Sequence, residues 1–242
     1  MGFVVPAVLP ASSEDLEAKL ALLAPLSAVT VVQIDVVDGR FASPATWPYE
    51  SGAAGFASLI AEGNMLPGFD RFRYDIDLMV ADPESVIGSW IAAGASRLTV
   101  HVESTSYLPK IITDFKQKFG HDTGFMTDAL SFGLAIGIET DLAVLEQYLG
   151  HVDYVQFMGI AKIGRQRQPF DERVLRKIKT FRSRHPKTTI QVDGGVSLTS
   201  APRLLEAGVD RLIIGSALFK AKDLSGEVKK FEALKEMYGV FE

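Results

Sequence analysis

The sequence predicts a single (β/α)8 barrel, and three observations carry that prediction. Across 242 residues, eight short β-branched runs alternate with amphipathic stretches of helical period. That length suits one such barrel, in which each strand is followed by a helix. No Gly-x-Gly-x-x-Gly follows the first run, which argues against the rival doubly wound open sheet built from the same units.

The elements follow in order. Phe3–Leu9 reads as the first strand, and Ser12 or Ser13 caps a helix to about Leu23 with Glu14 and Asp15 in its first turn. Val29–Val36 is the second strand. Phe72–Leu78 is the third, after which Asp82-Pro83-Glu84 opens a helix with proline in its first turn. Arg97–Val102 is the fourth, followed by a helix over about Tyr107–Phe119. Phe132–Ile138 and Val152–Met158 are the fifth and sixth, with helices near Asp141–Leu149 and Asp171–Arg184. Thr188–Val192 and Arg211–Ile214 complete the set, with helices at Leu198–Ala207 and Lys229–Tyr238. No linker, repeat or low-complexity stretch divides the chain, so residues 1–242 are expected to form one domain.

Two connections exceed what a barrel needs. Phe41–Arg71 carries Trp47, Tyr49 and several glycines, and predicts a helix near Gly52–Ala61 with an extended loop. This insertion, about 41–71, follows a strand C-terminus. It is therefore expected on the active face, covering the mouth or meeting a partner subunit, and it supports a homo-oligomer. Gly120–Leu130 precedes a strand and belongs to the far face.

Composition narrows the function classes. Hydrophobic residues make up 47% of the chain, which allows a substantial core. The formal net charge of −5 argues against a nucleic-acid surface. The basic residues between Lys162 and Lys187 read mostly as the solvated face of a helix. Without cysteine there are no disulfides and no thiolate metal sites. The N-terminus has no basic region before an apolar run, and no apolar stretch reaches the roughly 18–20 residues of a membrane span. No membrane is expected, and cytoplasmic is the expected location.

Three of the strands end in acid: Gln33-Ile34-Asp35-Val36-Val37-Asp38-Gly39, Tyr74-Asp75-Ile76-Asp77-Leu78-Met79-Val80 and Ile190-Gln191-Val192-Asp193-Gly194-Gly195. Side chains alternate along a strand, so Gln33 shares a face with Asp35, Asp75 with Asp77, and Gln191 with Asp193. Burying unpaired carboxylates is costly. If these ends converge, they form either a divalent-cation site or a paired acid/base centre. Asp38 reads equally well as a turn residue.

Two glycine turns come late, Asp193-Gly194-Gly195 and Ile214-Gly215-Ser216. In barrels the loops after strands seven and eight commonly hold a phosphate on unpaired backbone N–H groups. Lys162, Gly164, Arg165 and Arg167, after strand six, would make the same corner electropositive.

These motifs together resemble the ribulose-phosphate 3-epimerase family, a group of phosphosugar-binding barrels, over most of the chain. Pro6-Ala7-Val8-Leu9 resembles the family's Pro-Ser-Ile-Leu. Asp35-Val36-Val37-Asp38-Gly39 resembles Asp-Val-Met-Asp-Gly, and Asp75-Ile76-Asp77-Leu78-Met79-Val80 resembles Asp-Val-His-Leu-Met-Val. Gly133-Leu134-Ala135-Ile136, Val192-Asp193-Gly194-Gly195 and Gly215-Ser216-Ala217-Leu218-Phe219 are similar to its later motifs.

The resemblance implies epimerisation of a ketose phosphate at C3 through an enediolate, with Asp35 and Asp193 moving the proton on opposite faces. It also implies a small phosphorylated sugar held by Gly194, Gly195, Gly215 and Ser216, joined by Gly164, and a metal held at Gln33, Asp35, Asp77 and Asp193. The departures fall on that metal site: the family has His where Gln33 and Asp77 stand, Ser at Ala7 and Asn at Gly137. The loop Gly159–Gln166 lacks the family's Asn-Pro-Gly-Phe-Gly-Gly pattern.

An all-oxygen donor set favours Mg2+ or Mn2+ over Zn2+ or Fe2+, with a site holding no metal as the alternative. His101, which ends strand four, reads as a hydrogen-bonding or reactive residue at the same mouth. Lys162 reads as a solvated or phosphate-facing lysine. Two rival functions stand beside the epimerase: a phosphosugar-binding barrel that has lost metal and activity, and a Mg-dependent phosphosugar lyase or decarboxylase on the same scaffold.

Overall fold

The computed structural model describes residues 2–119, 130–164 and 168–239; the expectations placed on 120–129 and on Arg165 and Arg167 lie outside them. Eight parallel strands close into a barrel in sequence order: β1 (Val4–Val8), β2 (Val31–Val37), β3 (Arg73–Met79), β4 (Ala95–His101), β5 (Ser131–Ile136), β6 (Tyr154–Met158), β7 (Thr189–Asp193) and β8 (Arg211–Ile214). The barrel closes where Val4, Val5 and Pro6 pair with Leu212, Ile213 and Ile214. The predicted fold class is the observed one.

Helices α1 (Ser13–Leu23), α2 (Ala53–Ala61), α3 (Ile87–Ala92), α4 (Leu108–Phe119), α5 (Ala143–Glu146), α6 (Arg173–Arg184), α7 (Ala201–Ala207), α8 (Ser216–Phe219) and α9 (Leu224–Tyr238) follow the strands. Ser12 is the cap of α1, accepting the Asp15 N–H at 3.2 Å. The helix expected at Asp82 is broken in two: Pro83–Ser85 forms one 3-10 turn and α3 starts at Ile87. The expected helix at 141–149 shrinks to α5 and a 3-10 turn at Leu149–His151. Tertiary packing decides such short elements against local propensity. No helix among the described residues is long and apolar enough to cross a membrane.

The outward faces of the strands, such as Val32, Ile34 and Val36 on β2, pack on the helices as one continuous apolar core. The segment between β2 and β3 joins that core through Trp47, Phe56 and Leu66, while Tyr49, Met65 and Phe69 remain exposed. Trp47 is 4% exposed and meets the rings of Phe56 at 5.3 Å and Trp90 at 6.0 Å. This tryptophan is thus an internal contact, and offers no surface to a partner subunit. Because Trp90 is fully buried between Phe56 and Trp47, Trp90→Ala is expected to destabilise the fold by about 3–5 kcal/mol. Urea unfolding followed by circular dichroism measures this.

The inward faces are unusually polar. Gln33, Asp75, Asp77, Thr99, His101, Gln156 and Gln191 have no solvent exposure, and Arg97 and Arg211 keep 7% each. A barrel interior is a packed core, so each of these groups needs a partner inside it.

Candidate active site

Strand alternation brings the acid-tipped ends to one point. Register pairs Gln33 with Asp75 and Asp35 with Asp77 between β2 and β3, so each strand carries its polar pair at the same two levels. At the upper level, one carboxylate oxygen each of Asp35, Asp77 and Asp193 lies within 4.8 Å of the others. All three side chains are buried. Asp75 sits one level lower and is not part of this group. It accepts hydrogen bonds from Thr99, Tyr154 and Gln191, each at 3.3 Å.

Gln33 joins the two outer acids. Its Nε2 donates to Asp35 Oδ1 at 2.8 Å and to Asp193 Oδ2 at 3.3 Å, while its Oε1 is buried without a partner among the described residues. Asp77 is fixed from two sides: His101 Nε2 lies 3.0 Å from Oδ1, and Gln156 Nε2 donates to Oδ2 at 2.8 Å. Gln156 in turn accepts from Gln191 Nε2 at 2.7 Å. The His101 ring is covered by Phe41 at 5.3 Å, the first residue of the long insertion. Asp38 is a turn residue: it accepts the N–H groups of Arg40, Phe41 and Ala81, and so steers the chain out of β2.

Burial and crowding set the electrostatics. Asp193 is pushed up to about 7 by burial first and then by the Asp77 charge, against the Gln33 hydrogen bond, the His101 charge and the Gly194 N–H. Asp35 is raised well above the carboxylate range by burial, then by the charges of Asp193 and Asp77. Burial alone would lower His101, but the charge and hydrogen bond of Asp77, with Glu103 and Asp193, raise it. A protonated His101 would offset the extra charge of a third carboxylate beside a divalent cation.

The residues fit such a cation. Three carboxylates meet within a few ångströms, and beside them Gln33 turns its Nε2 to Asp35 and Asp193 while its Oε1 stays without a partner among the described residues. Asp35, Asp77 and Asp193 could therefore hold a metal, and Gln33, the fourth residue expected there, could join them only with its amide turned over.

Above the triad, one cavity is lined by Asp35, Asp193, Gly164, Gly194, Gly195, Gly215 and Ser216, together with Ala7, Met79 and Met158. The five residues expected to hold the phosphate, Gly164, Gly194, Gly195, Gly215 and Ser216, thus border the same space as the two proposed proton carriers. Gly194 and Gly195 have φ of +97° and +68°, a region that favours glycine, and a Cβ on Gly195 would fall 2.7 Å from Phe170 Cα. At Gly164 a Cβ would fall 2.7 Å from the Ala42 Cβ of the insertion. The first bond of α8 runs from the Leu218 N–H to the Gly215 carbonyl, so the Ser216 and Ala217 N–H groups precede the helical ladder. Lys162 is exposed at the rim, as a solvated lysine is.

Sequence reading missed Gln156 as the second holder of Asp77, and Met79 and Met158 as the cavity wall. The signal was present: Tyr154, Gln156 and Met158 occupy the inward positions of β6, as Asp75, Asp77 and Met79 do on β3.

Comparison with known proteins agrees with this geometry. The model of the "Ribulose-phosphate 3 epimerase family" matches residues 3–219. Among curated relatives, ribulose-phosphate 3-epimerase of Aquifex aeolicus is 28% identical over 208 residues, covering 84% of each chain. The chloroplastic ribulose-5-phosphate-3-epimerase of Arabidopsis thaliana is 30% identical over 210 residues, 84% of this chain and 67% of that one. Among solved structures, 3-hexulose-6-phosphate synthase from Salmonella typhimurium superposes with a TM-score of 0.66 at 16% identity, covering 97% and 99% of the two chains. Identity at that level shows the shared barrel alone.

Proposed function

Because the chain belongs to the ribulose-phosphate 3-epimerase family, we propose that it epimerises a ketose phosphate at C3, with Asp35 and Asp193 carrying the proton on opposite faces of the substrate. The observation that carries this reading is the buried carboxylate pair bridged by Gln33 Nε2 at the floor of a glycine-lined cavity. A general base works best when its pKa lies near the operating pH, and in the metal-free protein Asp193 at about 7 meets that requirement.

The substrate phosphate would rest on backbone N–H groups at Gly194–Gly195 and Gly215–Ser216, with Gly164 closing the side next to the insertion. That anchor sets C3 between the two carboxylates, so one removes the proton while the other returns it from the far side. For the opposite epimer the roles exchange. Met79 and Met158 keep water from the planar intermediate. Gln33, Asp35, Asp77 and Asp193 would hold Mg2+ or Mn2+ in preference to Zn2+ or Fe2+, since all the donors are hard oxygens. The cation supplies Lewis-acid stabilisation of the negative charge that develops on the substrate oxygens.

One observation favours a second reading. The Gln33 amide already joins Asp35 and Asp193 without a cation, so the chain could bind a phosphosugar and leave it unchanged. Deuterium incorporation at C3 of ribulose 5-phosphate in D2O, with Mg2+ or Mn2+ added, decides between the two. Exchange is the expected result. No exchange on any ketose phosphate tried, with Mg2+, Mn2+, Zn2+ or Fe2+, would sink the epimerase reading.

A further inference from the structure

The reaction leaves unused a set of charges at the other end of the barrel. Arg97 points inward near the start of β4 and is 7% exposed, and its Nη1 is buried without a hydrogen-bond partner among the described residues. The acid across from it in register is Asp75. That carboxylate takes its hydrogen bonds from Thr99, Tyr154 and Gln191; it feels the Arg97 charge but accepts no hydrogen bond from it among the described residues. A charged donor buried without a partner is costly and points to a group that the chain alone does not supply.

Arg97 also lines a cleft of about 450 Å3 at the N-terminal ends of β2, β3 and β4. Arg71 and Arg73 line the same cleft, with Phe69, Phe72 and a single carboxylate, Asp70. Arg71 is held in place by the carbonyls of Ala24 at 3.2 Å and Leu26 at 2.7 Å, and it lies 4.8 Å from the centre of the Phe72 ring. Both partners are neutral carbonyls, so neither offsets its charge. Arg73 is exposed at the rim.

We propose that this cleft is a second anion site, which binds a small organic phosphate at the end of the barrel opposite the reaction. Three guanidiniums line the cleft against Asp70 on its wall and Asp75 behind Arg97, an excess of positive charge that attracts a phosphoryl group, and the planar fork of arginine suits its oxygens better than a point charge would. Phe69 and Phe72 offer apolar wall to the remainder of the ligand, and the volume falls within the range of about 300–1,000 Å3 common for small-molecule sites. Arg73 and Met79 are the two ends of β3, about 20 Å apart at strand rise, so one ligand cannot span both sites.

Equilibrium dialysis with radiolabelled inorganic phosphate tests the proposal on the full chain. Ser216→Asp removes the contribution of the other mouth, because its carboxylate repels an anion there. The Ser216→Asp protein is expected to retain phosphate binding, and adding Arg73→Gln or Arg97→Met to it weakens that binding at least tenfold. Arg73 is exposed, so Arg73→Gln remains decisive even if Arg97→Met fails to fold. Absence of phosphate binding in Ser216→Asp protein, or binding untouched by Arg73→Gln, overturns the proposal. Neither outcome depends on whether the chain is an active epimerase.

Discussion

Asp35→Asn and Asp193→Asn are each expected to reduce epimerisation of ribulose 5-phosphate by a factor of about 10^3 or more, in line with the contribution of a positioned acid or base. The amide keeps the shape of the carboxylate and a carbonyl oxygen for the Gln33 Nε2–H, so the fold and the hydrogen bonds seen at 2.8 and 3.3 Å have no reason to fail. What is lost is the ability to take up a proton. The two variants should also differ from one another. With one carboxylate gone, the other still faces the C3 proton of one epimer, and can exchange it with solvent without inverting the centre. Asp35→Asn and Asp193→Asn should therefore exchange deuterium from opposite epimers, while neither interconverts them. Proton NMR of both epimers in D2O reads exchange and inversion separately. Inversion within tenfold of wild type in either variant would remove that residue from the proton path.

The acid-tipped strands were legible because two local facts coincide. A buried parallel strand is a short β-branched run, and side-chain alternation then puts Asp35, Asp77 and Asp193 on the inward face whatever the helices do. The glycine turns were legible for a similar reason, since Gly194, Gly195 and Gly215 follow strand ends directly. Less visible was anything that depended on contact between distant parts of the chain. Trp47 reads only as part of an insertion that covers the mouth or meets a partner subunit; Phe56 and Trp90, brought to it by the fold, make it core. Asp75 and Asp77 look equivalent in the sequence, yet Asp75 lies one level deeper, against Thr99, Tyr154 and Gln191. The short helices after β3 and β5 came out wrong in length because packing on neighbouring elements, not propensity, sets where such helices begin.

The strongest consequence of three buried acids concerns stability, and its sign follows from the proton balance. In the metal-free protein Asp193 is raised to about 7, Asp35 is raised well above its ordinary value, and both causes begin with burial. An unfolded Asp titrates near 3.9. Between about pH 4 and pH 7 the folded state therefore binds more protons than the unfolded state, so stability falls as pH rises. The contribution is complete below about pH 4 and is lost as pH passes through the folded-state values. His101 acts in the same direction, since its folded pKa is also raised and its stabilising charge disappears at high pH. A divalent cation competes with those protons for the same oxygens, so its binding strengthens as pH rises. Mg2+ or Mn2+ at about a hundred times its Kd should add about 2.7 kcal/mol at pH 8. For a chain of this size that is roughly 5–10 °C in Tm. At pH 5.5, below the Asp193 value of about 7, a proton holds one of the cation's oxygens and the same ion should add little. Thermal unfolding at both pH values, with the ion and with EDTA, measures the difference. A metal-induced shift as large at pH 5.5 as at pH 8 would mean that the cation binds somewhere other than Asp35, Asp77 and Asp193.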